Sequence, residues 1–144
     1  MSSHNDYDYI ILGAGPAGIQ LGYYFQKNNE NYRILESGKK AGTFFNQFPR
    51  HRKLISINKI HTGYDEKEVN LRWDWNSLLN DDDDFSYKDF DKDYFPSADT
   101  LVEYMNEYVN RYQIAIDYEQ DVSRISREGK AGQFILETVN GTTY

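Results

Sequence analysis

An α/β fold with a parallel sheet is predicted by three features of the chain. A short apolar run, Tyr7 to Leu12, leads directly into Gly13-Ala14-Gly15-Pro16-Ala17-Gly18, which fits G-x-G-x-x-G. A helix-forming segment follows, and Tyr32 to Leu35 then reads as a second strand with Glu36 at its end. Late in the chain the apolar pattern changes from helical spacing to strict alternation, as in an antiparallel meander. Strand, glycine turn, helix, strand and terminal acid are the parts of a Rossmann-type βαβ unit. The expected architecture is therefore a Rossmann-type dinucleotide-binding domain: a parallel sheet followed by an antiparallel β-meander.

Each part of the opening unit has a physical task. Tyr7 to Leu12 has the length and composition of one buried parallel strand. Gly13 permits the tight turn out of it, Gly15 lets a pyrophosphate approach the backbone, and Gly18 lets the helix pack close to the sheet. Free N–H groups and the positive end of the helix dipole then face the phosphates. Ile19, Leu21, Tyr24 and Phe25 are expected to form the apolar side of the helix, which breaks at Asn28-Asn29-Glu30-Asn31. Glu36 follows Gly18 by 18 residues. Its carboxylate can accept from both ribose hydroxyls of an adenosine, and it would repel a 2'-phosphate, so FAD or NAD is expected rather than NADP. A glycine-rich turn alone can share the motif; the agreement of strand, helix, second strand and acid favours the nucleotide site.

Ser37 to Thr43 is loop-like. Lys39 and Lys40 either flank the nucleotide or are solvated, and solvation is the ordinary state of loop lysines. Phe44 and Phe45 suit either a core or the wall of a flat cofactor. Arg50, His51, Arg52 and Lys53 gather positive charge in an acidic chain. Such a cluster either sits near a flavin, stabilising its reduced anion, or pairs with acids on the surface. Leu54 to Ile57 suggests a short strand. His51 and His61 lack companions at metal-ligand spacing, so no metal site is expected.

Residues 64–95 read as an excursion from the sheet. Leu71 to Leu79 suggests a short helix whose aromatic side packs inward, and Asp81 to Asp84 reads as a solvated, extended loop. The calcium-loop spacing is missing from that acidic run. Ser97 is a good N-cap. Leu101, Tyr104, Met105, Tyr108, Val109 and Tyr112 recur at helical spacing, giving an amphipathic helix from about Ala98 to Tyr112 that is expected to pack on the sheet. Gln113 to Tyr118 reads as the next parallel strand. Val122 to Glu128 and Gln133 to Val139 alternate, Gly129 to Gly132 turns between them, and Asn140-Gly141 signals a further hairpin. A third meander strand would barely have begun at Tyr144, so a truncated chain is expected.

Composition narrows the classes. At 144 residues one domain with a real core is expected. A net charge of −7 argues against nucleic acid or an anionic membrane surface as partner. Thirteen tyrosines, eight phenylalanines and two tryptophans require many half-buried rings. Cysteine is absent, which removes disulfides, thiolate metal sites and a redox-active cysteine pair from this segment. Neither a secretory signal pattern nor an apolar run of about 18 residues is visible, so a cytoplasmic location without a membrane span is expected.

The residues carry a family resemblance. GAGPAGIQLGYY with Glu36, AGTF at Ala41 to Phe44, FPRHRKLISINK at Phe48 to Lys59, NLRWDWNSLL at Asn70 to Leu79 and YFPSADTLVEYMNEYV at Tyr94 to Val109 make the chain similar to the N-terminal part of flavin-containing monooxygenase-like FAD oxidoreductases. Among these it most resembles the group called FAD-dependent oxidoreductase domain-containing protein 2. The resemblance implies that Gly13, Gly15, Pro16, Ala17 and Gly18 hold the FAD pyrophosphate and Glu36 the ribose. It implies that Ser37 and Lys39 border the adenosine. Gly42, Thr43, Phe44 and Asn46 would run toward the flavin, and Val122 would contact adenine through its backbone. NADPH or NADH would reduce the flavin in the complete enzyme and oxygen would reoxidise it. The family's Ala-Thr-Gly segment and its NADPH-binding domain are absent from this sequence, so the 144 residues alone are expected to be incomplete for turnover. Relatives of the human type belong to the secretory pathway, against the cytoplasmic expectation.

The leading expectation is thus the FAD-binding segment of an NAD(P)H-dependent flavin oxidoreductase, monooxygenase-like and acting on a small molecule. No catalytic residue is identified; Arg50, His51 and Arg52 are candidates for groups near the flavin. A non-catalytic nucleotide-binding interaction module and a fragment of an NAD-dependent dehydrogenase are the alternatives. Homo-oligomerisation stays open.

Overall fold

A computed structural model describes residues 6–129 and 132–144. The chain divides into two compact units, one formed by residues up to Ala41 together with Gln113–Tyr144, the other by Gly42–Tyr112.

The first unit is the predicted α/β fold. Strand β1 (Tyr9–Leu12), helix α1 (Pro16–Lys27) and strand β2 (Tyr32–Leu35) form the βαβ unit, and β3 (Ile116–Asp117) adds to the far side of β2. All pairings in this sheet are parallel, with Tyr9 opposite Tyr32, Leu12 opposite Leu35 and Leu35 opposite Asp117. The central strand β2 is the most buried, with Ile34 and Leu35 almost without exposure. β1 is more open than its apolar sequence predicts: Tyr9 and Leu12 are about half-exposed. Its only strand partner among the described residues is β2.

Helix α1 buries Ile19, Gly22 and Tyr23, whereas Leu21 and Tyr24 from the expected apolar side are exposed. Spacing explains the correction. Residues three and four beyond Ile19 share its face, and Leu21 does not. Gly22 is there because a Cβ would lie 2.8 Å from Ile34 and 2.9 Å from Ile114.

The meander consists of β4 (Val122–Arg127) antiparallel to β5 (Phe134–Thr138). Two residues of the predicted turn between them, 130 and 131, lie outside the described residues. After the Asn140-Gly141 turn, with Gly141 at φ +87°, Leu136 and Tyr144 exchange both backbone hydrogen bonds at 2.9 and 3.0 Å. A third strand therefore begins, as a single bridge between Glu137 and Thr143, where the Asn140-Gly141 signal predicts it. Leu35, Leu136 and Tyr144 form a small core, joined by Tyr7, Ile10 and Val122.

The second unit is organised by α3 (Ala98–Arg111), whose Ser97 side chain caps Asp99 N–H at 3.1 Å. The partners of its predicted stripe are rings of the excursion. Tyr104, fully buried, lies with its centroid 5.4 Å from Phe85, 5.2 Å from Phe90 and 5.7 Å from Tyr87. The tyrosines are used for their polar ends as well as their rings. Tyr104 Oη accepts from Leu78 N–H at 2.8 Å, Tyr108 donates to Leu79 O at 2.6 Å, and Tyr87 donates to Ser97 O at 2.7 Å. Irregular backbone that would otherwise be unsatisfied is paired in this way. Burial raises the pKa of Tyr87 and of Tyr104 well above the usual phenol value.

Four further expectations are corrected in this unit. The short helix is α2, Lys67–Trp73, four residues earlier than expected. It stops where Asp74 Oδ1 accepts from the N–H groups of Asn76 and Ser77 at 3.0 and 3.1 Å. Trp73 and Trp75 do not pack inward but are 63% and 84% exposed. Leu54 to Ile57 forms no strand; a single antiparallel bridge joins Lys53 to Ser97. The aspartate run is not wholly solvated, because Asp82 accepts from Arg111 and from the Tyr112 hydroxyl, both at 2.8 Å. The run thereby ties down the C-terminal end of α3.

Candidate dinucleotide site

In the first unit, β1 ends in a tight glycine turn. Gly13 has φ +94°, a conformation that a side chain disfavours, and its N–H donates to Leu35 O at 2.8 Å. A Cβ on Gly18 would lie 2.0 Å from Gly13 O. The first turn of the helix is therefore pressed against the loop. At Gly15 the surroundings are the opposite: nothing lies within 4 Å of the position a Cβ would take. Gly15 is also the N-cap of α1, with no side chain capping the first-turn N–H groups and Pro16 in the first turn. Such an end presents donors and a positive dipole to open space. Pro16 is half-buried and Ala17 exposed.

Glu36 closes the site from β2. It is only 6% exposed. One carboxylate oxygen, Oε2, accepts from Ala14 N–H at 2.7 Å, and the other, Oε1, accepts from Gly38 N–H at 2.7 Å. The acid predicted to face a ribose is thus held against the glycine turn, in a fixed orientation, by two backbone amides. Ala14 and Gly38 are the parts that sequence reading overlooked; they act through backbone N–H groups, and side-chain identity carries no signal of that. Burial, and then the negative charge of Glu36, raise the pKa of the Tyr118 phenol.

Of the remaining expected residues in this unit, Ser37 is exposed. Lys39 is exposed as well and pairs loosely with Glu119 at 3.9 Å. Val122 is half-buried beside the Leu35–Leu136–Tyr144 cluster and lies opposite Thr138. The structure brings together Gly13, Gly15, Gly18 and Glu36; it gives Ser37 and Lys39 no such fixed setting.

The second unit holds Gly42, Thr43, Phe44 and Asn46. Gly42, at φ +76°, starts the 3-10 turn Thr43–Asn46, and a Cβ there would lie 2.2 Å from Met105 Cε of α3. Thr43 is half-buried and Asn46 exposed. Phe44 is 65% exposed, edge-on to Phe45 at 5.3 Å and stacked on Phe48 at 5.2 Å. In the basic cluster, Arg52 pairs with Asp99 at 2.5 Å and Lys53 with Asp93 at 2.8 Å. His51 Nδ1 accepts from Lys53 N–H at 3.2 Å, and the Arg50 guanidinium lies 6.0 Å from the Phe48 ring. Arg52 and Lys53 follow the surface-pair reading. Among the described residues no group of acids and histidines is arranged to hold a metal ion, and no helix is long and apolar enough to cross a membrane.

Comparison with known proteins identifies the fold and the family. Residues 10–144 match the pyridine nucleotide-disulphide oxidoreductase family. The chain is 44% identical over 140 residues to the FAD-dependent oxidoreductase domain-containing protein 2 of Danio rerio, a match that takes in 96% of this chain and 20% of that protein. It therefore spans about a fifth of that relative's length. Among solved structures it resembles a flavin-containing monooxygenase from Stenotrophomonas maltophilia, with TM-score 0.70 and 17% identity over 95% of this chain and 35% of that one. It equally resembles a bacillithiol disulfide reductase from Staphylococcus aureus, with TM-score 0.69 and 17% identity over 96% and 35%. These two likenesses establish the fold, a Rossmann-type α/β architecture with a parallel sheet and an antiparallel meander. By its sequence match from residue 10 to residue 144, the chain belongs to the pyridine nucleotide-disulphide oxidoreductase family.

Proposed function

We propose that this chain is the FAD-binding segment of an NAD(P)H-dependent flavin oxidoreductase, monooxygenase-like in its chemistry. The observation that carries the reading is Glu36 Oε2 on the Ala14 amide, which sets an acid beside the glycine turn, next to the open space over Gly15. The first-turn amides and the helix dipole would take the diphosphate; Glu36 would take the ribose, since a carboxylate oxygen can accept from more than one donor. A 2'-phosphate would bring two negative groups together, so the site favours FAD over NADP as its resident nucleotide. Pro16 and Ala17 would border the diphosphate, Ser37 and Lys39 the adenosine, and Val122 the adenine. From the second unit, Gly42, Thr43, Phe44 and Asn46 would follow the ribityl chain to the ring system.

FAD, when bound, supplies the redox chemistry, and the chain supplies binding and orientation. Cysteine is absent from these 144 residues, so no protein dithiol within this segment relays electrons from the flavin. The FAD-dependent name of the Danio rerio relative, at 44% identity, supports the choice of cofactor. NADPH or NADH as reductant and a small-molecule substrate belong to the same proposal for the complete enzyme.

Titration of the purified chain with FAD, followed by flavin fluorescence, tests the reading. Saturable binding is expected, with NAD competing at least about tenfold more weakly. A chain that takes up NAD and not FAD would be a dehydrogenase fragment instead.

A further inference from the structure

A cavity open to solvent lies within the 42–112 unit and is unused by the nucleotide reading. It has a volume of about 560 Å³, in the range of small-molecule sites. Lys59, Thr62, Tyr64, Trp73 and Trp75 are among its lining residues. Both tryptophans of the chain are therefore here. Their exposure of 63% and 84% is costly for the largest apolar side chains and is unexplained by packing.

Among the polar residues that line this cavity, which include His61, Lys59 is unusual. Lys59 is only 7% exposed. Its ammonium donates to Ser56 Oγ at 3.0 Å and to Ile57 O at 2.7 Å, both on residues that also line the cavity. Neither acceptor is charged, and no carboxylate among the described residues lies within 4.0 Å of it. An ammonium has three N–H donors, and both of its bonds here go to neutral oxygens, so it can still take a charged acceptor. A buried cation in this state favours an incoming anion.

The walls are fixed by side-chain bonds. Asn70 of α2 donates to Tyr64 O at 2.7 Å and accepts from the Thr62 hydroxyl at 2.9 Å, so the loop that carries Thr62 and Tyr64 is tied to the helix that carries Trp73. Asn58, 1% exposed, donates to Asp91 O and accepts from Ile60 N–H at 3.3 Å, anchoring the backbone on either side of Lys59. A largely apolar pocket with two indole side chains and an ammonium that has no carboxylate partner among the described residues is complementary to a flat ring bearing one negative charge.

We propose that this cavity binds a planar aromatic carboxylate, with the carboxylate on Lys59 and the ring against Trp73 and Trp75. The inference stands on this cavity alone and does not depend on FAD.

Because the chain has only two tryptophans, their two indole N–H signals in a ¹⁵N-correlation NMR spectrum report on this site alone, and Trp75→Phe assigns them. Titration of the 144-residue chain with 2-naphthoate is expected to shift both signals saturably. The neutral isostere 2-naphthylmethanol should bind at least about tenfold more weakly, the size of one charge-assisted hydrogen bond. Lys59→Met should reduce naphthoate to the affinity of the alcohol. Indole signals that do not respond to naphthoate, or equal affinity for acid and alcohol on the unaltered chain, would overturn the proposal. The second comparison needs no variant and so survives any misfolding of Lys59→Met. Saturating FAD should leave the naphthoate shifts in place; if it abolished them, the cavity would belong to the flavin and the inference would fail.

Discussion

Ala14 donates its backbone N–H to Glu36 Oε2 at 2.7 Å, across 22 residues of sequence. The same carboxylate receives Gly38 N–H on its other oxygen. Glu36 therefore has a structural task before any nucleotide arrives. Glu36→Ala leaves two amides without their acceptor at a buried position, and about 1–3 kcal/mol of stability should be lost, read from urea denaturation. FAD affinity should fall by at least about tenfold in the same variant. Glu36→Gln separates the two roles. Its amide oxygen can still accept one of the two N–H bonds, so stability is expected to lie between wild type and Glu36→Ala, and the charge that repels a 2'-phosphate is gone. Adenosine 2',5'-bisphosphate should then compete with FAD more effectively than it does in the unaltered chain.

The glycines at 15 and 18 make opposite demands. A Cβ at Gly18 meets Gly13 O at 2.0 Å, and backbone cannot yield as a side-chain end can. Gly18→Ala should cost about 1–3 kcal/mol or more in a denaturant titration. At Gly15 the added methyl meets nothing within 4 Å, so Gly15→Ala should keep near-native stability and the same circular dichroism. It fills the space through which a diphosphate would approach, and FAD binding should drop by about tenfold or more. Full FAD affinity in Gly15→Ala would show that the pyrophosphate does not bind at this turn.

Tyr104 illustrates how the second unit holds its irregular chain. Tyr104→Phe keeps the ring stack on Phe85 but removes the oxygen that accepts from the buried Leu78 N–H at 2.8 Å. The unsatisfied donor should cost about 1–3 kcal/mol. Tyr104→Ala, which also empties the ring's place, should cost about 3–5 kcal/mol. Urea midpoints that rank the two variants equally would mean that the hydroxyl bond is what matters at this position and the ring is not.

The local parts of this fold are legible in the sequence because short-range rules determine them. Gly13, Gly18 and Glu36 reveal the βαβ unit, since each satisfies a backbone or charge requirement within one motif. Ser97 and the stripe behind it reveal α3 to within a residue. Periodicity does not say which partner a stripe meets, so the seat of Tyr104 among Phe85, Tyr87 and Phe90 is set by a non-local contact that composition does not encode. The same limit applies to Trp73 and Trp75: apolar residues are expected inside, and no local pattern reveals that these two are 63% and 84% exposed. Glu36 is recognisable as an acid, yet its bonds to Ala14 and Gly38 are invisible, because backbone donors look alike in every residue.

Tyr144 donates to Asp117 Oδ2 at 3.0 Å, and Asp117 also faces Arg33 at 3.4 Å. Burial, then the bond to the carboxylate and its negative charge, push the Tyr144 phenol up to about 12. An unfolded tyrosine titrates near 10. Below pH 10 the phenol is neutral in both states, and its contribution to stability is fully present. Between about pH 10 and about pH 12 the unfolded chain has released this proton while the native chain retains it, so stability falls as pH rises. Tyr144→Phe removes the proton and the bond together. The variant should be about 0.5–1.5 kcal/mol less stable at pH 8, from the lost hydrogen bond, and should lose stability less steeply above pH 10. Tyr87 and Tyr104 have raised phenols in both proteins, so only the difference between the two curves reports on Tyr144. Urea midpoints collected from about pH 8 to about pH 11 check this. Curves that stay parallel throughout would show that Tyr144 does not keep its proton against Asp117.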